Sequence, residues 1–382
     1  MNMKVRLETF LQEVTEKTVE NNQHPVLTSS KSGLYLQSDY FNKQVASKDN
    51  IGYKIIKKGQ FTYRAMSDTG EFYPNMLECV DIGIVSPAYP VFEIVDTNII
   101  EPEYLKYFFK SNVFQYSISS FVQGSTRTSV KFGKLKTISI ELPDTTKQNK
   151  IVEILKIIES IIEARKEELN NLDELVKARF VELFGDPISN HHGFDKVTLS
   201  ELADIKIGPF GSLLHKEDYI EGGHALLNPS HIIDGKVVPD NKLTVSVQKY
   251  EELSAYHLKT GDVVMGRRGE MGRCAVVPCD GYLCGTGSLM IRTKGKVTAD
   301  YIQKIISFPS FKKSIEDMAV GQTMPNLNVP IVSNFQIIKP PIEIQKSYYD
   351  FVEQVDKSKV AVQKALDETQ TLFDSLMQEY FG

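Results

Sequence analysis

Cysteine is scarce in this chain, with only Cys79, Cys274, Cys279 and Cys284 among 382 residues. Four thiols so unevenly placed cannot frame disulfides in a protein of this length, and they are expected to be reduced. The last three recur at intervals of five, but three thiolates without a CxxC pair or a nearby fourth ligand make a poor tetrahedral zinc site. Small half-buried strand residues are the better account of them. Long apolar runs are missing too: no stretch of ~18 occurs, and the start Met1-Asn2-Met3-Lys4-Val5-Arg6 is charged without an apolar core segment. That pattern predicts neither a membrane span nor a secretory signal, and hence a cytoplasmic protein.

An excess of positive charge is the third absence, the formal net charge being −5. The average hides an uneven distribution. Residues 1–140 carry 16 basic against 14 acidic residues and 188–335 carry 16 of each, whereas 141–187 carry 7 against 11 and 336–382 carry 5 against 8. The acidity sits in two short segments, which leaves the two large ones free to present basic faces locally to a polyanion. With 41% hydrophobic and 24% charged residues, the chain has the composition of a globular protein of two or three domains.

What is present is a repeat. Displacing the sequence by 197 residues lays 99–185 on 296–382 without a gap, with 15 of the 87 pairs identical, against about five or six expected from ordinary residue frequencies. Tyr104/Tyr301, Phe114/Phe311, Gly124/Gly321, Thr126/Thr323, Pro143/Pro340, Gln148/Gln345 and Phe184-Gly185/Phe381-Gly382 are among them. Upstream the match weakens, though Gly59 to Arg64 can be laid on Gly261 to Gly266 with a small insertion. Each half is a block of ~140 residues followed by a regular tail.

In the tails, Ile151, Leu155, Ile158, Ile162, Arg165, Leu169, Leu172, Val176, Arg179 and Leu183 alternate spacings of four and three. Tyr348, Val352, Val355, Lys359, Val362, Leu366, Thr369, Phe373, Leu376 and Tyr380 do the same. Heptads sustained this long predict two helices wrapped on one another, each opening after a proline and closing at Phe-Gly. At 1.5 Å per residue, a helix of ~36 residues would span roughly 54 Å. Arg165, Arg179, Lys359 and Thr369 interrupt the seam, either to set register or to snorkel at its edge.

The blocks read as α+β. In the second, Thr198-Leu199-Ser200-Glu201 has capping-box form, Asp234-Gly235 marks a hairpin, and Ser246 caps a short helix. Strands are expected near 262–266, 273–278 and 287–292, and helices near 299–307 and 310–319. The first block ends in the same way, with helices near 101–111 and 113–121, but its front is expected to differ.

Catalytic signatures are not found. Gly266-Arg267-Arg268-Gly269 is neither a dinucleotide fingerprint nor a phosphate loop, Asn228-Pro229-Ser230-His231 lacks the second proline and aromatic of an amino-group methyltransferase, and no HExxH or GxSxG occurs. What recurs in glycine-bounded loops are basic, hydroxyl and amide residues. In the first block these are Ser30, Lys31, Lys43, Gln44, Lys48, Arg64, Thr126, Arg127, Thr128 and Lys131. In the second they are Ser212, Lys216, Arg267, Arg268, Arg273, Gln322, Thr323 and Asn326, together with the aromatic Phe210. Arg reads guanine bidentately, Asn and Gln read adenine, and Ser, Thr and Lys position phosphates, so these are the candidate DNA contacts.

At this point the chain resembles the specificity subunit of type I restriction-modification systems. The resemblance rests on Gly208-Pro209-Phe210-Gly211-Ser212 with Lys216-Glu217-Asp218-Tyr219, on Gly261-Asp262-Val263-Val264, on Gly272-Arg273-Cys274-Ala275-Val276-Val277-Pro278, and on Pro340-Pro341-Ile342-Glu343-Ile344-Gln345. It implies two α+β target-recognition domains, 1–143 and 187–339, each reading half of a split double-stranded DNA site. Two long antiparallel helices, 144–186 and 340–382, would separate them as a coiled coil in a pseudo-twofold repeat. It also implies a subunit with no catalysis or cofactor of its own. Two methylation subunits would supply S-adenosylmethionine, and restriction subunits would supply ATP and Mg²⁺. A two-domain scaffold that binds protein and has no DNA role is the alternative.

Overall fold

A computed structural model describes residues 3–40, 49–121, 128–319 and 326–382. By internal contacts the chain divides into one unit of 1–168 with 362–382 and a second of 169–361. Both are α+β, and two long helices, Thr145–Phe184 and Ile342–Phe381, run through them.

The first unit is built on a four-stranded sheet in the order Leu11–Val14, Val91–Ile94, Phe61–Thr62, Asn75–Met76. Aromatic residues fill the space between this sheet and the helices Pro102–Lys110 and Asn112–Ser119: Phe61, Phe72, Phe92, Phe108, Phe109 and Phe114 are all buried. Phe92 lies at the centre, stacked on Phe61 at 5.6 Å and on Phe132 at 5.1 Å between ring centroids. Such offset pairs add to the burial of their large apolar area.

The second unit repeats the sheet in the order Ala203–Ile207, Ser288–Thr293, Val263–Gly266, Cys274–Val276. Its core is mainly aliphatic, with Val263, Leu289, Ile291, Ile302 and Ile305 packed around Tyr301. In both units a short strand pairs antiparallel with the strand that leads into a long helix, Met3–Arg6 with Ser139–Leu142 and Lys196–Thr198 with Gln336–Ile338. The shared four-stranded order sits beside fronts that differ, since among the described residues the second unit alone adds a five-stranded sheet in the order Tyr219–Ile220, Thr244–Val245, His224–Leu227, Tyr282–Cys284, His257–Leu258. The central strand of the first sheet is two residues long, too short for its alternation to be read, yet it holds the same place in the strand order.

Within the second unit the short elements follow local chemistry. Glu201 accepts a hydrogen bond from the Thr198 backbone N–H at 3.1 Å. Ser246 caps the helix Val247–Glu252 through Lys249 N–H. Asp234 and Gly235 both take positive φ, 49° and 74°, in the turn joining Ile232–Ile233 to Lys236–Val237, the conformation that Asp-Gly adopts in a tight hairpin. Cys274 and Cys284 are buried strand residues whose thiols burial pushes up to about 12, while Cys79 and Cys279 are exposed.

The long helices contact each other antiparallel. In the first unit Ile151, Val152 and Leu155 share a cluster with Phe373, Leu376, Met377, Tyr380 and Phe381, and Phe381 packs on Tyr104 at 4.8 Å between ring centroids. In the second, Phe180 and Phe184 pack on Tyr348 at 5.5 and 5.4 Å, and Phe184 meets Tyr301 at 5.3 Å. All twenty seam positions read from the heptads are buried or half-buried. The polar interruptions fare differently. Lys359 pairs with Asp173, Arg179 reaches Glu182 and lies over Phe351, and Thr369 bonds the Ala365 carbonyl. Arg165 Nε is buried and finds no hydrogen-bond partner among the described residues.

Candidate nucleic-acid interface

In the first unit Ser30, Lys31 and Arg64 line one cleft of about 310 Å³ with Met66 to Thr69, Glu71 and Tyr73. The cleft lies between the turn of the hairpin Leu27–Ser30/Gly33–Leu36 and the loop leaving the central strand Phe61–Thr62. Thr128 sits beside it, its Oγ1 donating to the Ser67 carbonyl at 3.0 Å on a strand paired with Met66–Ser67. Asn75 Nδ2 donates to Ser29 Oγ and to the Ser30 carbonyl at 2.9 and 2.8 Å, which fixes the hairpin turn against the sheet. Lys31 is engaged by Glu71 at 3.6 Å and lies over the Tyr73 ring; hydrogen bonding to Tyr73 and then its charge are the leading causes that raise the lysine pKa. Lys131 is exposed at the start of the helix Phe132–Leu135 and does not line the cleft. Lys43, Gln44, Lys48, Thr126 and Arg127 lie outside the described residues.

In the second unit the predicted residues divide into two sets. Phe210, Ser212 and Lys216 are exposed on the loop that follows strand Ala203–Ile207, Phe210 retaining 60% of its accessible surface. Gly208 anchors this loop, because its N–H donates to the Ser288 carbonyl and a Cβ there would stand 2.0 Å from the Gly285 carbonyl oxygen. Only glycine permits that approach.

Arg267, Arg268 and Arg273 surround the turn after strand Val263–Gly266, and they are not equivalent. Arg267 Nε donates to the Leu327 carbonyl at 3.0 Å and Nη1 reaches the Thr286 carbonyl at 3.5 Å. Burial, and then the like charge of Arg268, lower the Arg267 pKa from its ordinary value. Arg273 is held by Glu270 at 2.7 Å and donates to the Pro229 carbonyl at 3.3 Å, so its charge is largely spent inside the fold. Arg268 is exposed and has no hydrogen bond or ion pair with any described residue. Asn326 adjoins Leu327, and its Oδ1 is buried without a hydrogen-bond partner among the described residues. Gln322 and Thr323 lie outside them.

Sequence reasoning missed Lys312 and Lys304. Lys312 bonds Glu270 Oε1 at 2.8 Å and, with Arg273, holds that carboxyl below the usual range. Both lysines line a cavity of about 400 Å³ with Asp234, Gly235, Glu270 and Arg273. They come from the helices Ala299–Ser307 and Pro309–Ala319, where nothing in the local pattern points at a loop some forty residues upstream. Asn228-Pro229-Ser230-His231, weighed above as a methyltransferase fragment, is a structural turn: the Asn228 N–H donates to His231 Nδ1 at 3.1 Å, and Pro229 packs against Gly266 and Gly287. Among the described residues no group of three or more His, Cys, Asp or Glu is placed to hold a metal ion, and no helix is long and apolar enough to cross a membrane.

One α+β scaffold used twice, with exposed cations on loops of both copies and two long paired helices, defines a duplicated recognition protein. Comparison with known proteins specifies it. The family model described as the type I restriction modification DNA specificity domain matches residues 10–174 and 191–369, and the chain belongs to that family. It is similar to the type I restriction enzyme MjaVIII specificity subunit of Methanocaldococcus jannaschii, 23% identical over 259 residues that make up 60% of each protein. It is also similar to the MjaIX specificity subunit of the same organism, 22% identical over 74% of this chain and 69% of the relative. The fold matches the S subunit of a type I restriction-modification system from M. genitalium, with a TM-score of 0.54 at 14% identity, covering 100% of this chain and 96% of the other. The HsdS subunit from Thermoanaerobacter tengcongensis gives 0.52 at 16%, with the same coverage.

Proposed function

We propose that this chain is the DNA-reading subunit of a type I restriction-modification complex, with residues 1–143 and 187–339 each reading one half of a bipartite target. The observation that carries this reading is the duplicated scaffold: four-stranded sheets of one strand order with unlike fronts suit two modules that recognise different short sequences. The paired helices 144–186 and 340–382 act as the ruler for the unread spacer. Their helices Thr145–Phe184 and Ile342–Phe381, 40 residues each, are about 60 Å long, compatible with half-sites one turn of DNA, ~34 Å, apart.

The chain recruits the subunits that carry out covalent chemistry and performs none itself. Two methylation subunits bring S-adenosylmethionine to adenine, and restriction subunits bring ATP and Mg²⁺. Near-neutral recognition blocks suffice where bound partners add phosphate contacts. The complex works in the cytoplasm, where the DNA is.

Mapping methylated adenines in DNA from cells with and without this gene tests the reading. One bipartite motif should disappear with the gene, and the purified chain should methylate nothing until the methylation subunits are added. Methyl transfer by the chain alone, or an unchanged methylation map, would refute it, the latter favouring a protein-binding scaffold.

A further inference from the structure

The two sheets can be superposed residue by residue from their hydrogen bonds. On the central strands, Thr62 stands opposite Val91 and Gly266 opposite Ser288, and those two partners are 197 residues apart, the displacement of the repeat. The residue after each strand is anchored in the same way. Tyr63 donates its hydroxyl to the Val130 carbonyl at 3.0 Å, and Arg267 donates Nε to the Leu327 carbonyl at 3.0 Å. Val130 and Leu327 are again 197 apart and lie within the ungapped alignment. Beyond the anchored residue the loops diverge: the Val130 backbone N–H returns to the Ala65 carbonyl, two residues past Tyr63, whereas that of Leu327 returns to the carbonyl of Arg267 itself, both at 3.0 Å. By strand register and by the side chain that anchors the residue before each, Arg64 and Arg268 occupy one position of the duplicated scaffold.

Their surroundings agree as well. Both are exposed, and neither has a hydrogen bond or ion pair with a described residue. Among the described residues the other basic groups of the candidate face are either tied down or of different shape: Lys31, Arg267 and Arg273 have internal partners, whereas Lys131 and Lys216 are point charges suited to phosphate. An arginine next to a residue locked to the core, with its own guanidinium unspent, offers a pre-aimed fork. That fork matches the O6 and N7 acceptors of guanine in the major groove.

We infer that Arg64 and Arg268 are the equivalent base-reading residues of the two domains, each specifying one guanine in its own half-site. The inference rests on the DNA-reading role proposed above and adds to it the residues and the base.

The experiment uses the complex with its methylation subunits, incubated with a pool of DNA duplexes randomised across both half-sites, and reads which duplexes become methylated. Arg64→Ala should relax one guanine position in one half-site, discrimination there falling roughly ten- to a hundredfold, and leave the other half-site intact. Arg268→Ala should do the same in the opposite half-site. Arg64→Lys and Arg268→Lys keep the charge without the fork, so they should hold overall binding and its salt dependence while staying relaxed at that position. Because both side chains are exposed and unpartnered, thermal midpoints should not move. A variant that modifies the full original motif at a uniformly lower rate would identify a phosphate contact and overturn the assignment, as would unchanged modification. If the unaltered complex modifies DNA without sequence preference, the proposed function itself fails, which is a separate result.

Discussion

Gln148 and Gln345, 197 residues apart in sequence, hold the same fully buried post at the start of the two long helices. Gln148 Oε1 accepts from the Glu101 N–H at 2.8 Å, and its Nε2 donates to the carbonyls of Ile99 and Pro143, each at 2.9 Å. Gln345 Oε1 accepts from the Thr298 N–H at 3.0 Å, and its Nε2 donates to the Pro340 carbonyl at 2.9 Å. One amide thus ties the strand exit and the start of the long helix to the start of Pro102–Lys110 in one domain and of Ala299–Ser307 in the other.

Removing that amide strands buried backbone groups, at about 1–3 kcal/mol for a buried donor or acceptor left unpaired. Gln148→Leu should therefore destabilise the protein by about 3 kcal/mol, and Gln345→Leu by less, since it frees one carbonyl fewer. Denaturant unfolding of the two variants gives the comparison; an equal or smaller loss at Gln148 would contradict it.

The loop at 208–212 contains two glycines with different requirements. At Gly208 a methyl group would press on the Gly285 backbone, whereas at Gly211 nothing lies within 4 Å. Gly208→Ala should lower the melting temperature of the second domain markedly, at a cost of about 2 kcal/mol or more, while Gly211→Ala should leave it nearly unchanged. Thermal scans of both variants decide this, and equal melting would remove the packing argument.

How much could be read without coordinates depended on the length of each pattern. The long helices announce themselves because Ile151 to Leu183 and Tyr348 to Tyr380 repeat one spacing over several heptads, enough to exceed local noise. The first sheet stayed hidden because Phe61–Thr62 and Asn75–Met76 are two residues each. Laying Gly59 to Arg64 on Gly261 to Gly266 placed Arg64 on Gly266; the strand register moves it onto Arg268, because the second domain has two more residues between the turn glycine and the strand end. Of the candidate contacts, Arg273 looked as available as Arg268, since its partner Glu270 is also a turn residue and Lys312 is remote in sequence. The cleft joining Ser30, Lys31 and Arg64 depends on a hairpin folding onto a distant strand, and no short motif encodes that.

Arg165 is a seam residue whose buried Nε has no hydrogen-bond partner among the described residues, so its polar group costs more than it returns. Arg165→Leu should raise stability by about 1 kcal/mol, whereas Arg179→Leu gives up contacts with Glu182 and Phe351 and should not. Chemical denaturation distinguishes them; destabilisation by Arg165→Leu would show that the arginine has a specifying role in the pairing.

Glu270 gives the second domain an acid-sensitive element. Lys312 and then Arg273 hold its carboxyl below the ordinary value. A lowered acid contributes stability that is present above its unfolded pKa, about 4.3, and is lost as pH falls through the folded one. Glu270→Gln should remove that part of the acid loss and little else, less than about 1 kcal/mol because the side chain is half exposed. Melting temperatures followed from pH 6 to pH 3 test this; an unchanged acid limb in the variant would contradict it.

The most direct test of two independent reading domains is to exchange residues 1–140 for the corresponding block of another family member and sequence the methylated DNA made by the assembled complex. The account predicts a motif in which one half is new and the other half and the spacer are kept. Loss or change of both halves together would contradict it.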